Sequence, residues 1–248
     1  MNHAQRAALT ARLFSLADDE FLLGHRDSEW TGHAPLLEED IAFSNIAQDE
    51  MGHALMWYTI LHEHFDQPTP DRLAFWRAPD QFRNAQLVEL PRGDWAFTIV
   101  RQYLFDAYEQ ARNEWLQRCG YAPIEDAARK LAREEVYHLA HSRGWVLRLG
   151  DATAESHGRM QAALDLAWPH APGLFEPPAG DEAFAAVLPE IQAAWRAAVE
   201  PVLTQATLTI PAAAQIGGGR LGAHTPHLTD LLADLQKVAR LEAPEAVW

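Results

Sequence analysis

The stretch FSNIAQDEMGHALMWYTI, residues 43–60, decides how this chain is read. Its apolar positions Phe43, Ile46, Trp57 and Ile60 recur at intervals of three and four, and Glu50 and His53 fall on the same stripe. Residues at that spacing share one helix face, so a carboxylate and an imidazole face the core together with large apolar side chains. A second stretch repeats the pattern. LAREEVYHLAHSRGWVLRL, residues 131–149, aligns Leu131, Glu135, His138, Ser142, Trp145 and Leu149.

Two more stripes lie upstream of these. One runs through Leu9, Leu13, Leu16, Glu20 and Leu23, the other through Trp95, Ile99, Gln102, Asp106 and Glu109. All four are apolar at their ends and ionisable near the middle. The spacing predicts helices over about 4–25 and 35–64, then a connection over 67–93 that carries four prolines. Asp94 is a candidate N-cap for a third helix ending near residue 120, and Pro123 opens a fourth that stops at Gly150. Helices joined short, long and short make two antiparallel pairs with one long crossover. Beyond them the periodicity predicts helices over 155–168, 181–206 and 224–241, separated by Pro/Gly-rich stretches that include Gly217-Gly218-Gly219. The expected organisation is one all-α domain, 1–248, with a core bundle over about 4–150 and a C-terminal helical extension over about 151–248.

Composition narrows the function. The 248 residues carry 35 acidic and 20 basic side chains, a formal charge of −15, and only Lys130 and Lys237 are lysines. No basic patch offers itself to nucleic acid or an anionic membrane. The single Cys119 excludes a disulfide framework and a four-cysteine zinc site. The N-terminus lacks the apolar segment of a signal peptide, and no run approaches the ~18 apolar residues of a spanning helix, so a cytoplasmic protein is expected.

The ionisable residues inside the stripes point to metal. A buried carboxylate is costly unless it is paired or binds a cation, and four at one level of a core repel one another. Two metal ions would cancel that charge. Bundle metalloproteins use one carboxylate from each of two helices and Glu-x-x-His from each of the other two. Here Glu20, Glu50, His53, Asp106, Glu135 and His138 supply such a set, with Glu109, one turn beyond Asp106, as an alternative or additional ligand. From 19 Glu and 12 His about one Glu-x-x-His is expected by chance, so placement carries the argument. Glu20 precedes Glu50 by 30 residues and Asp106 precedes Glu135 by 29. Oxygen and imidazole donors without thiolate suit iron or manganese. Asp19, Asp49 and Glu134 fall off the stripes and are expected at the solvated surface. His141 is open between a supporting donor and a surface residue. Gly217 to Arg220 reads as a flexible loop, with contact to a phosphate group or a partner as the sharper alternative.

The run Glu29-Trp30-Thr31-Gly32-His33-Ala34-Pro35 resembles a motif of the phenylacetyl-CoA epoxidase C-subunit (PaaC) family. So do Arg101-Gln102-Tyr103-Leu104-Phe105-Asp106-Ala107, the stretch around Ser142-Arg143-Gly144-Trp145, His224-Thr225-Pro226-His227-Leu228 and the final Trp248. The resemblance implies a ferritin-like bundle in a multicomponent monooxygenase that epoxidises the ring of phenylacetyl-CoA in aerobic phenylacetate breakdown. It implies a catalytic A subunit as partner, carrying a di-iron centre, and a structural C subunit whose own metal site has decayed. This chain keeps all six candidate ligands. Two expectations follow: a scaffold subunit with a retained di-metal site, or a di-iron oxygenase or oxidase in its own right.

Overall fold

The structure, a computed structural model, describes residues 1–212 and 214–243. Trp248, part of the resemblance above, lies outside them. Among the described residues the regular structure is helical throughout. Helix α1 (His3–Ser28) begins at a capping box in which Asn2 and Gln5 satisfy each other's backbone N–H groups. Helix α2 (Leu37–Phe65) runs back along it: Arg6 meets Asp66 at one end of the pair and Thr31 meets Ser44 at the other.

The connection after α2 is more ordered than its prolines suggest. It holds a short helix α3 (Pro70–Phe75) and two 3-10 turns, and it buries Phe82, Ala85, Leu87 and Val88. Asp94 caps α4 (Trp95–Leu116) as expected, by accepting from the Phe97 N–H at 2.9 Å. Helix α5 (Ala122–Gly150) returns antiparallel, with Arg129 on the Gln117 carbonyl and Ser142 on Asp106. The crossover thereby sets α2 and α4 parallel, the topology of a ferritin-like bundle.

The C-terminal third covers α4. Helix α6 (Ala154–Ala167), a 3-10 segment (Trp168–Phe175), a one-turn α7 (Glu182–Ala185) and α8 (Leu188–Gln205) follow in order. The helix expected over 181–206 is therefore broken at Ala186 and Val187, where Pro189 opens a new helix. Trp195 of α8 donates to the Leu104 carbonyl at 2.9 Å and stacks on Trp168, which docks the extension on α4. The last expected helix is shorter as well: α9 is Pro226–Leu235, followed by a 3-10 turn at Ala239–Leu241. No helix among the described residues is long and apolar enough to cross a membrane.

Candidate metal centre

Helices α1, α2, α4 and α5 bring their polar mid-stripe residues to one level of the bundle. Glu20, Glu50, His53, Asp106, Glu109, Glu135 and His138 are all buried. Three overlapping groups could each hold a metal ion: Glu20, Glu50 and His53; Glu50, Glu135 and His138; and Glu50, Asp106 and Glu109. Within each, one donor atom per residue lies within 4.8 Å of the others. Glu50 belongs to all three, which puts it at the centre.

His53 Nδ1 lies 3.8 Å from Glu20, 3.9 Å from Glu50 and 3.4 Å from Glu135. His138 Nδ1 lies 3.5 Å from Glu50 and 3.3 Å from Glu135. These spacings fall below about 4.2 Å, twice the ~2.1 Å of a typical metal–ligand bond, so one ion can reach both members of any pair. The far side of each ring is fixed. His53 Nε2 meets Glu134 at 2.8 Å and His138 Nε2 meets Asp49 at 3.3 Å. An ionised carboxylate only accepts, so each Nε2 carries a proton, and each Nδ1 faces the cluster, where a metal would displace its proton and take its lone pair.

The donor atoms have little else to bind. Glu20 Oε2, Glu50 Oε2, His53 Nδ1, Glu109 Oε2, both Glu135 oxygens and His138 Nδ1 are buried with no hydrogen-bond partner. Buried polar atoms are seldom left this way, and a cation is the group that would satisfy seven at once. Asp106 differs: its oxygens accept from Gln102 at 2.8 Å and from Ser142 at 2.6 Å. Arg112, fully buried, donates to Glu20 at 2.9 Å and to Glu109.

The charges are strongly coupled. Burial, reinforced by Glu20 and Glu135, pushes the Glu50 carboxyl well above the usual range. Burial acts on Glu20 in the same direction, but His53 and Arg112 outweigh it and hold that carboxyl well below the usual range. Burial disfavours charge on both imidazoles, yet the carboxylates prevail. His53 is raised, and His138, facing Glu135 and Asp106, is pushed up to about 10. Without a cation the cluster retains protons to offset its negative charge.

The sequence profile of the phenylacetic acid catabolic protein family matches residues 1–248. The chain belongs to that family. It is also 38% identical, over 97% of its length and 99% of the relative's, to the C subunit of 1,2-phenylacetyl-CoA epoxidase from Escherichia coli (strain K12). With family membership established, the C-subunit motifs take structural roles: Trp30 donates to Thr98 at 2.8 Å, and His224 meets Glu89 at 2.6 Å.

Expectations change at Asp19, Asp49 and Glu134, and the readings left open at His141 and Arg220 are decided. Asp19 is not at the surface; it is fully buried and holds Arg220 at 2.6 Å. Asp49 and Glu134 are partly exposed but serve the two histidines. His141 is a supporting residue, bonded at 2.7 Å to Glu39, which also accepts from Trp145. Arg220 is no surface anion contact: it is buried against Asp19 and the Ser15 carbonyl, and Gly219 beside it leaves no room for a side chain against the Asn84 carbonyl. Stripe counting could not find Arg112, because an arginine one turn past Glu109 looks like any charged helix position.

Proposed function

We propose that this chain is the structural C subunit of a multicomponent phenylacetyl-CoA epoxidase. It pairs in the cytoplasm with a catalytic A subunit that epoxidises the ring of phenylacetyl-CoA during aerobic phenylacetate breakdown. The observation that carries the reading is end-to-end similarity to a protein named as the C subunit of that epoxidase, 38% identical over 97% of this chain. Exposed apolar side chains on α2 and α5, among them Leu37, Ile41, Val136 and Tyr137, suit a chain with a protein partner.

The unpartnered donors favour a retained metal site. Glu20, Glu50, His53, Glu135 and His138 would hold the metal, with Glu109 as the third-helix carboxylate still offering a free oxygen. When bound, a redox-active ion of the iron or manganese type would supply electron-transfer chemistry toward dioxygen. A second reading follows: an independent di-iron oxygenase or oxidase. The cavity that reaches Glu135, between α4 and α5, bears on the choice. It holds about 150 Å³ and is lined by Gln110, Asn113, Glu114, Gln117, Ala132 and Val136. Sites for small molecules typically run from about 300 Å³ upward, so this one is too small to seat an acyl-CoA. That favours the scaffold.

Co-expression with a cognate A subunit tests the proposal. The two chains are expected to elute as one complex, and ring epoxidation to require the A subunit. Separate elution would overturn the scaffold reading. Oxygen-dependent turnover by this chain alone, lost in Glu50→Ala, would establish the second reading instead.

A further inference from the structure

At the end of the bundle where α1 begins and α2 stops, a cavity of about 400 Å³ opens to solvent. That volume lies within the ~300–1,000 Å³ usual for small-molecule sites. One wall is apolar, built from Ala7, Ala11 and Phe14 of α1, Phe65 of α2 and Pro178. Thr10, which also lines it, stands ten residues before Glu20, about 15 Å along the helix, so the cavity is separate from the buried cluster.

Its charge runs against that of the chain. Acidic side chains outnumber basic ones 35 to 20, yet among the described residues His3, Arg6, Arg83 and Arg220 line the cavity and no carboxylate does. Two of these arginines are already paired: Arg6 meets Asp66 at 2.7 Å, and Arg220 meets Asp19 at 2.6 Å. The half-buried Arg83 side chain meets no carboxylate among the described residues, but it is held in place. Its backbone N–H donates to Asp18 at 2.7 Å, and its carbonyl accepts from Arg220 at 3.1 Å. Its Nη1 donates to the Asp80 and Phe82 carbonyls. Nε and Nη2 are left without an acceptor among the described residues, and they form the edge of a guanidinium that grips a carboxylate with two parallel bonds.

We infer that this cavity binds a small organic monocarboxylate, with its carboxylate on the Nε/Nη2 edge of Arg83 and its apolar body against Phe14 and Phe65. One uncompensated guanidinium matches one negative charge. The apolar wall favours a carboxylate with a hydrocarbon body over an inorganic anion.

Isothermal titration of the purified full-length chain, with phenylacetate as the probe, tests the site. Saturable binding of about one molecule per chain is expected. Phenylacetamide keeps the ring and loses the charge, while acetate keeps the charge and loses the ring; each should bind about tenfold more weakly or worse. Two variants locate the site. Arg83→Gln removes the guanidinium edge and should weaken binding about tenfold or more. Ala7→Phe places a ring in the cavity from an exposed helix position and removes no side-chain hydrogen bond. It should abolish binding while circular dichroism and the melting temperature stay unchanged. No saturable binding, or equal binding of the amide, would overturn the inference. Binding unchanged in either variant would overturn it as well, since the probe would then sit elsewhere or ignore Arg83.

Discussion

Asp27 shows how far burial can move one group. It is fully buried, neither oxygen has a hydrogen-bond partner, and the Arg101 guanidinium stands 3.6 Å away. Burial outweighs that cation and pushes its carboxyl up to about 7. Between pH ~4 and ~7 the folded chain therefore holds a proton that the unfolded chain has lost, and stability falls as pH rises through that window. The slope from this group is at most about 1.4 kcal/mol per pH unit. Asp27→Asn should flatten it, as seen by comparing urea unfolding of the two proteins from pH 5 to 8; parallel curves would refute the assignment. Arg77 tests the opposite case. It binds Asp18 and the Tyr58 hydroxyl, with Asp18 fully buried. Arg77→Ala strands that carboxylate and should cost about 3–5 kcal/mol in thermal or urea unfolding.

Among the helices, α4 carries the most constraint. Seventeen of its 22 residues are buried, because α5 and the site lie on one side while α6 and α8 cover the other. Its apolar stripe was legible, since Trp95, Ile99 and the polar trio below them keep helical spacing. The burial of its remaining faces was not, because local periodicity says nothing about what the distant C-terminal third will cover. Close approach between elements was equally invisible. A Cβ on Gly150, at the end of α5, would lie 2.5 Å from the Ala206 carbonyl after α8. Gly150→Ala should therefore destabilise the chain by about 1–3 kcal/mol. Gly144, one and a half turns earlier on α5, has open space around it, and Gly144→Ala should stabilise by about 0.5–1 kcal/mol. Opposite signs from two glycines on one helix, read as melting-temperature shifts, check this packing directly.

At the scale of the whole molecule, acidity is divided between core and surface. Ten carboxylates and six arginines are buried among the described residues, so −11 of the formal −15 remains elsewhere. Glu20, Glu50, Asp106 and Glu135 account for that difference of four; the other six buried acids are balanced by the six buried guanidiniums. The exposed apolar residues of α2 and α5 bear on assembly. Ile41→Glu together with Tyr137→Glu should leave the melting temperature within a few degrees, since both side chains are at least half exposed. The pair should weaken co-elution with the A subunit; unaffected co-elution would place the interface on another face.

The four bundle helices, their pairing through a long crossover, and the carboxylates and imidazoles that lie on the apolar stripes were legible in the chain alone. Helical periodicity is local, and a buried polar residue on an apolar stripe stands out against its neighbours. Folding in three dimensions added that Asp49 and Glu134 bond the histidines, that Gln102 and Ser142 each donate to Asp106, and that Arg112 enters the cluster. Those relations join residues far apart in the chain, and a side chain's hydrogen-bond partners follow from packing between helices rather than from spacing within one.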